Sequence, residues 1–194
     1  LRGTDIYLFQ SDEMFKVNTD TYLLSQFMKI EKNDDVLDIG TNNGALLLYA
    51  SQYHPGSLTG IDIIDRAIDI ANINMMLNHI DNVNLINIDI NNFDEEKKYD
   101  VITFNPPYFK GDNVNDNEYR KIARHQVCIN DFQIVSNIKR LLKNNGHGYI
   151  VYRYDISSNL IKEIDNQGLK INRQEIYIDD RTNKKVSILL EVML

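Results

Sequence analysis

From Asp35 the chain reads Asp35-Val36-Leu37-Asp38-Ile39-Gly40-Thr41-Asn42-Asn43-Gly44 and passes directly into Ala45-Leu46-Leu47-Leu48-Tyr49-Ala50. Val36, Leu37 and Ile39 make a short apolar strand, Gly40 and Gly44 bracket a turn, and the run after Gly44 opens a helix. The same unit then recurs. Leu58–Ile63 is a second strand, followed by a helix carrying Ile64, Ala67, Ile68, Ile70, Ala71, Ile73 and Met76 at helical spacing. Val83–Ile88 and Tyr99–Phe104 are the third and fourth strands. A helix from about Asp131 to Lys143 turns Phe132, Ile134, Val135, Ile138, Leu141 and Leu142 inward, and Asn144-Asn145-Gly146 ends it. Tyr149–Tyr152 is the fifth strand, and a helix over 157–167 stops at Gly168. Leu169–Ile178 and Val186–Met193 close the chain as a hairpin around the polar turn Asp179–Lys185. Strands alternating with helices predict an α/β fold on a mostly parallel sheet, with an antiparallel hairpin at its end.

The 194 residues suffice for one domain, and no linker, composition break or repeat divides them. The expectation is a single domain over 1–194, with a lead-in and helix over 1–33 and the core over 35–194. No window holds the roughly 18 apolar residues of a membrane helix, and no secretory signal pattern opens the sequence. The single cysteine, Cys128, excludes an internal disulfide framework and a cysteine zinc site. Together these features predict a cytoplasmic protein without a metal. A formal net charge of −7 argues against loose nucleic-acid binding over the whole surface, though not against a local basic face. The many dispersed asparagines, among them Asn72, Asn74, Asn78, Asn82, Asn84, Asn87, Asn91 and Asn92, read as a compositional bias.

Several positions point to a ligand. The Gly40–Gly44 turn resembles a dinucleotide fingerprint without matching its three-glycine spacing, which weighs against a pyrophosphate clamp. Asp62, with Ile63, ends the second strand, where a carboxylate can accept from both hydroxyls of a ribose; capping the next helix is its competing reading. Gly40 and Gly44 with Asp62 in a strand–helix–strand frame favour nucleoside binding. Asp89 can take an adenine amino group with Ile90 against the ring, or serve as a turn residue. A helix from about Thr21 to Glu31, with Asp20 as N-cap, is either a packing helix or one whose N-terminus, beside Thr19 and Asp20, faces the pocket.

The most chemical stretch is Asn105-Pro106-Pro107-Tyr108, after the fourth strand. The Asn105 amide oxygen and the Pro106 carbonyl can both accept from an NH2 group. The two prolines preset that geometry, and the Tyr108 ring can stack on a heterocycle. A plain Pro-Pro turn is the alternative. Residues 109–125 form a long polar segment in which Lys110, Arg120, Lys121, Arg124 and His125 read as a phosphate-contacting lid or as a solvated loop.

The order of these features resembles the class I S-adenosylmethionine-dependent methyltransferases over nearly the whole chain. That resemblance implies a Rossmann-like, seven-stranded sheet with helices on both faces and an antiparallel last strand. Asn-Pro-Pro-Tyr in that place is the mark of amino-group methyltransferases. Phe15-Lys16-Val17-Asn18-Thr19-Asp20-Thr21-Tyr22-Leu23-Leu24, with Asn105-Pro106-Pro107-Tyr108-Phe109-Lys110 and Ile122-Ala123-Arg124-His125, resembles the bacterial tRNA (adenine-37 N6)-methyltransferases and their Gram-positive relatives. The implied cofactor is S-adenosyl-L-methionine, leaving as S-adenosyl-L-homocysteine. The implied partner is the anticodon loop of tRNA. Asn105, Pro106, Pro107 and Tyr108 would be catalytic. Thr19, Asp20, Asp38, Gly40, Asn42, Gly44, Asp62, Ile63, Asp89, Ile90 and Asn105 would bind the cofactor. Tyr108, Phe109, Lys110, Arg120, Lys121, Arg124 and His125 would meet RNA. Protein-glutamine N5-methylation, adenine methylation of another RNA or of DNA, and a non-catalytic nucleoside-binding scaffold remain as alternatives; a Rossmann oxidoreductase lacks its glycine fingerprint.

Overall fold

The computed structural model describes residues 1–12, 14–106 and 129–194. Seven strands form one sheet in the order β3-β2-β1-β4-β5-β7-β6. They are β1 (Asp35–Ile39), β2 (Ser57–Asp62), β3 (Val83–Asn87), β4 (Tyr99–Phe104), β5 (Leu142–Arg153), β6 (Lys170–Asp179) and β7 (Lys184–Met193). Strands β1 to β5 pair in parallel. Strand β7 runs antiparallel between β5 and β6. Among the described residues the α-helices that accompany the sheet are α1 (Thr19–Phe27), α2 (Ala45–Ser51), α3 (Asp65–Leu77), α4 (Asp131–Leu141) and α5 (Ser157–Asn166).

The strand alternation sorts side chains into two layers. Leu37, Ile102, Ile150 and Leu190 pack on one face with Ile134 and Ile138 of α4 and Leu160 of α5. Val36, Val101, Val151 and Leu189 face the other way, onto Leu24 and Phe27 of α1, Leu47 of α2 and Met75 of α3. A strand covered on both faces buries apolar residues on each, which explains the adjacent pairs Val36-Leu37 in β1 and Val101-Ile102 in β4.

Two boundaries differ from the sequence reading. Helix α1 spans Thr19–Phe27, and its cap is Asn18, not Asp20: the Asn18 side chain accepts from the Thr21 N–H. Asp20 sits inside the first turn, where Oδ1 accepts from Ser187 Oγ of β7 at 2.6 Å. Asn18 and Asp20 are both good capping types, so composition could not choose between frames two residues apart. Helix α4 ends at Leu141, and Asn144-Asn145-Gly146 lies within β5 rather than in a turn. A Cβ at Gly146 would stand 2.9 Å from the carbonyls of Tyr99 and Asp100, so this glycine lets β5 press against β4 beside the register shift between Tyr99 and Val101. Phe132, expected inward, is 60% exposed, because Ile134, Val135, Ile138 and Leu141 already form the buried stripe of α4.

The asparagines have structural uses. Asn74 of α3 and Asn78, the C-cap that follows this helix, stand one turn apart and clamp the lead-in. Asn74 accepts from the Phe9 N–H at 2.7 Å and donates to the Phe9 carbonyl at 3.0 Å and the Asn43 carbonyl at 2.8 Å. Asn78 accepts from the Tyr7 N–H at 3.0 Å and donates to the Tyr7 carbonyl at 2.8 Å. Helix positions i and i+4 lie about 6 Å apart, close to the roughly 6.6 Å between alternate residues of an extended chain. The two amides therefore pair with the lead-in as a strand edge would. Met14, 2% exposed, anchors the same segment against Ala67 and Ile70 of α3.

Candidate active site

Between β1 and β4 the strand order reverses, and the connections leave their C-terminal ends in opposite directions. Such a divergence opens a crevice at the strand ends. A cavity of about 340 Å³ lies there.

Its floor is the turn after β1. Gly40 has φ +68°, Asn42 +51° and Gly44 +77°. Glycine takes these angles freely and asparagine tolerates them. The turn is held from outside: the Thr41 N–H donates to the Ile61 carbonyl at 2.9 Å, and the Asn42 N–H donates to Asp62 Oδ2 at 2.9 Å. Asp62 Oδ1 accepts from the Ile64 N–H at 3.0 Å. Each oxygen of that carboxylate thus holds one backbone donor, with lone-pair capacity remaining. The carboxylate is not the N-cap of α3, which is Ile64. Burial pushes the Asp62 carboxyl up, against the lowering effect of bonds from Ile64, Asn42 and Ile63. Asp38, fully buried at the end of β1, accepts from Thr103 Oγ1 at 2.6 Å, and burial pushes its carboxyl up to about 7.

Asp89 is a turn residue, one of its two sequence readings, and it also borders the cavity. It caps a short 3-10 turn, Ile90–Asn92, by accepting from the Asn91 N–H and Nδ2, both at 2.9 Å. Asn105 stands at the end of β4, against the opening of α1: its Nδ2 donates to Thr21 Oγ1 at 3.2 Å.

Of the positions singled out from sequence, Asp38, Gly40 and Asn42 line the cavity from β1 and its turn. Asp62 and Ile63 line it from β2, Asp89 and Ile90 from β3, and Asn105 and Pro106 from β4. Thr19, Asp20 and Gly44 are not in the wall. Asp20 holds β7 instead. Gly44 begins α2 against α3, where a Cβ would come within 2.7 Å of Met75 Cε and 3.4 Å of Ala71 Cβ. Pro107, Tyr108, Phe109, Lys110, Arg120, Lys121, Arg124 and His125 lie outside the described residues.

The lead-in supplies a wall that the site reading had missed. Phe15, Lys16, Val17 and Asn18 line the cavity, joined by Thr21. Asn42 Nδ2 fastens that wall by donating to the Phe15 carbonyl at 2.7 Å. The available signal was the Asn18-x-x-Thr21 spacing, an N-cap and the residue whose N–H it takes.

Buried polar atoms indicate what the cavity accepts. Asn42 Oδ1 and Asn43 Nδ2 are buried without a hydrogen-bond partner among the described residues, one an acceptor and the other a donor, on the same turn. Among the described residues, the acidic side chains of Asp38, Asp62 and Asp89 share the wall with the cation Lys16, which is paired with Asp12 at 2.6 Å. Such a lining suits a cationic ligand carrying its own donors and acceptors and repels the phosphates of a dinucleotide.

Residues 30–189 match the family described as Methyltransferase domain. The tRNA1(Val) (adenine(37)-N6)-methyltransferase of Dyadobacter fermentans is 28% identical over 177 residues, which cover 90% of this chain and 74% of that protein. A protein of the same name from a Flavobacteriaceae bacterium is 25% identical, over 95% of this chain and 85% of its own length. Among solved structures, NSun6 from Pyrococcus horikoshii superposes with a TM-score of 0.71 at 13% identity, covering 92% of this chain and 52% of that one.

Proposed function

The chain belongs to the methyltransferase-domain family, and from that premise we propose that it methylates N6 of an adenine in tRNA, at position 37 beside the anticodon, using S-adenosyl-L-methionine. The observation that carries this reading is the placement of Asn105. It stands at the end of β4, beside the strand-order reversal, on the rim of a cavity that Asp38, Asp62 and Asp89 also line. The names of the relatives support tRNA as the substrate. The position within the anticodon loop and a cytoplasmic setting rest on the likeness alone.

The residues fit the cofactor. Asp62 faces a ribose diol with its remaining lone pairs. The unpartnered Asn42 Oδ1 and Asn43 Nδ2 suit the ammonium and carboxylate of an amino-acid end. Asp89 and Ile90 take the adenine. When bound, S-adenosyl-L-methionine supplies a sulfonium-activated methyl group and leaves as S-adenosyl-L-homocysteine.

The chain's own part is orientation. An adenine turned out of its loop places its exocyclic amine between the Asn105 side-chain oxygen and the Pro106 carbonyl. Two acceptors on the two N–H bonds fix the plane of the amine and concentrate its lone pair on the remaining side. Because that amine is a poor base, most of the rate gain comes from holding it in line and excluding water. The proton lost from N6 passes to solvent. Tyr108 is assigned to stack on the base, and Lys110, Arg120, Lys121 and Arg124 to meet phosphates.

The test is transfer of labelled methyl from S-adenosyl-L-methionine to total unmodified tRNA, followed by nucleoside mass analysis. N6-methyladenosine is expected, and Asn105→Ala is expected to lower kcat by 100-fold or more, about 2.7 kcal/mol, while cofactor affinity stays within about threefold. Label in a protein fraction and none in RNA would move the assignment to glutamine methylation.

A further inference from the structure

An asparagine amide serves as acceptor only with its C=O, not its NH2, toward the substrate. The two ends have nearly the same shape, so something must select the orientation. At Asn105 the selecting group is a hydroxyl on another element. Thr21 Oγ1 lies 3.1 Å from Asn18 Oδ1, and the same oxygen also takes the Thr21 N–H at 3.0 Å. An amide oxygen only accepts, so the Thr21 hydroxyl spends its one proton there. What it presents to Asn105, at 3.2 Å, is a lone pair. A lone pair takes the NH2 end of an amide and rejects the C=O end. Thr21 is 8% exposed, which leaves little water to satisfy the reversed arrangement.

We infer that Thr21 is a positioning residue for the methyl transfer: polarised by the helix cap Asn18, it locks the Asn105 amide with its oxygen toward the incoming amine. The inference rests on the proposed role of Asn105 and adds the group that sets its direction. The direction of donation runs Asn105 NH2, Thr21 O–H, Asn18 O=C, from the reaction site into the first turn of α1. A reversed amide would point N–H at the N–H of the substrate. The lead-in helix is thereby part of the catalytic apparatus as well as a wall of the cavity.

The test compares Thr21→Val and Thr21→Ser with Asn105→Ala in the tRNA assay, with Tm measured for each. Valine keeps the shape and removes the lone pair. Thr21→Val is expected to lower kcat roughly tenfold, the weight of one hydrogen bond lost from the selecting side. The KM for cofactor and for tRNA should stay within about twofold. Thr21→Ser restores the hydroxyl and should return kcat to within about threefold of the parent. If Asn105→Ala abolishes turnover while Thr21→Val does not change kcat, the positioning role is refuted and the role of Asn105 survives. If Thr21→Val lowers Tm and raises both KM values without a kcat loss that serine rescues, Thr21 only holds the helix. If Asn105→Ala leaves turnover intact, the reading of Asn105 itself fails.

Discussion

Asn74→Ala should weaken the fold more than any other single amide deletion on α3, and the structure sets the size of the effect. The side chain is fully buried and makes three hydrogen bonds, two to Phe9 and one to the Asn43 carbonyl. At about 0.5–1.5 kcal/mol each, their loss amounts to roughly 1.5–4.5 kcal/mol, with about 3 as the central value. Phe9 is 48% exposed, so its freed groups can find water, whereas Asn43 is 3% exposed and its carbonyl cannot. For a chain of this length, 3 kcal/mol moves Tm by about 6–12 °C. Asn78→Ala is the internal control. It removes two bonds to Tyr7, on the solvent side, and one to the Asn74 carbonyl, and should cost less than Asn74→Ala, about 1–2 kcal/mol. Urea titration of both variants gives the free energies, and limited proteolysis reports whether residues 1–17 come away from α3. Losses below 1 kcal/mol in both variants, with the lead-in still protected, would refute the clamp.

Asp38 carries a pH signature. Burial raises its carboxyl from 3.8 to about 7 in the folded chain, so the folded state keeps a proton that the unfolded state releases. Stability therefore falls as pH rises from about 4 to about 7, by up to about 4 kcal/mol. Asp38→Asn should flatten that slope in denaturation curves taken between pH 4 and 8, and an unchanged slope would assign it elsewhere. Gly44→Ala places a Cβ at φ +77° and 2.7 Å from Met75 Cε. It should destabilise by about 1–3 kcal/mol, and Met75→Ala in the same background should relieve only the steric part; a Gly44→Ala variant of unchanged Tm would deny the close packing of α2 on α3.

The strand–helix order was legible because periodicity and glycine placement are local properties. Strands β1 to β4 lie within a residue or so of their expected limits. The errors fell where two residues of equal local merit competed. Asn18 and Asp20 both cap well, and the choice between them was made by Ser187, 167 residues away, which claims the Asp20 carboxylate. Asn144-Asn145-Gly146 has the composition of a helix stop and does follow one, yet its use is to let β5 lie against the β4 backbone at Tyr99 and Asp100. The strand-end positions Asp38, Asp62, Asp89 and Asn105 could be placed because strand ends in a parallel sheet converge by topology. The lead-in wall could not, because it is joined to the cavity by side chains from α3 and from the turn rather than by pairing of its own.

Those joining side chains are asparagines, and the choice of amide has a physical reason. The lead-in has no neighbouring strand among its described contacts, so its N–H and C=O groups need partners supplied from a helix and a turn. A carboxylate has no donor and would leave each carbonyl unmet, and a hydroxyl carries donor and acceptor on one atom, too compact to span the N–H and C=O of one residue. An amide offers both at once, which is how Asn74 meets both backbone groups of Phe9. The same residue reaches the Asn43 carbonyl, and Asn42 reaches that of Phe15. The floor and the lead-in wall of the cavity are therefore fastened to one another by amides rather than by apolar packing alone. An apolar replacement for Asn74 could keep the volume and still loosen the cavity, because what it removes is the bond between the turn after β1 and α3. What the composition presented as a bias is, at these positions, the means by which a short N-terminal segment becomes part of the site.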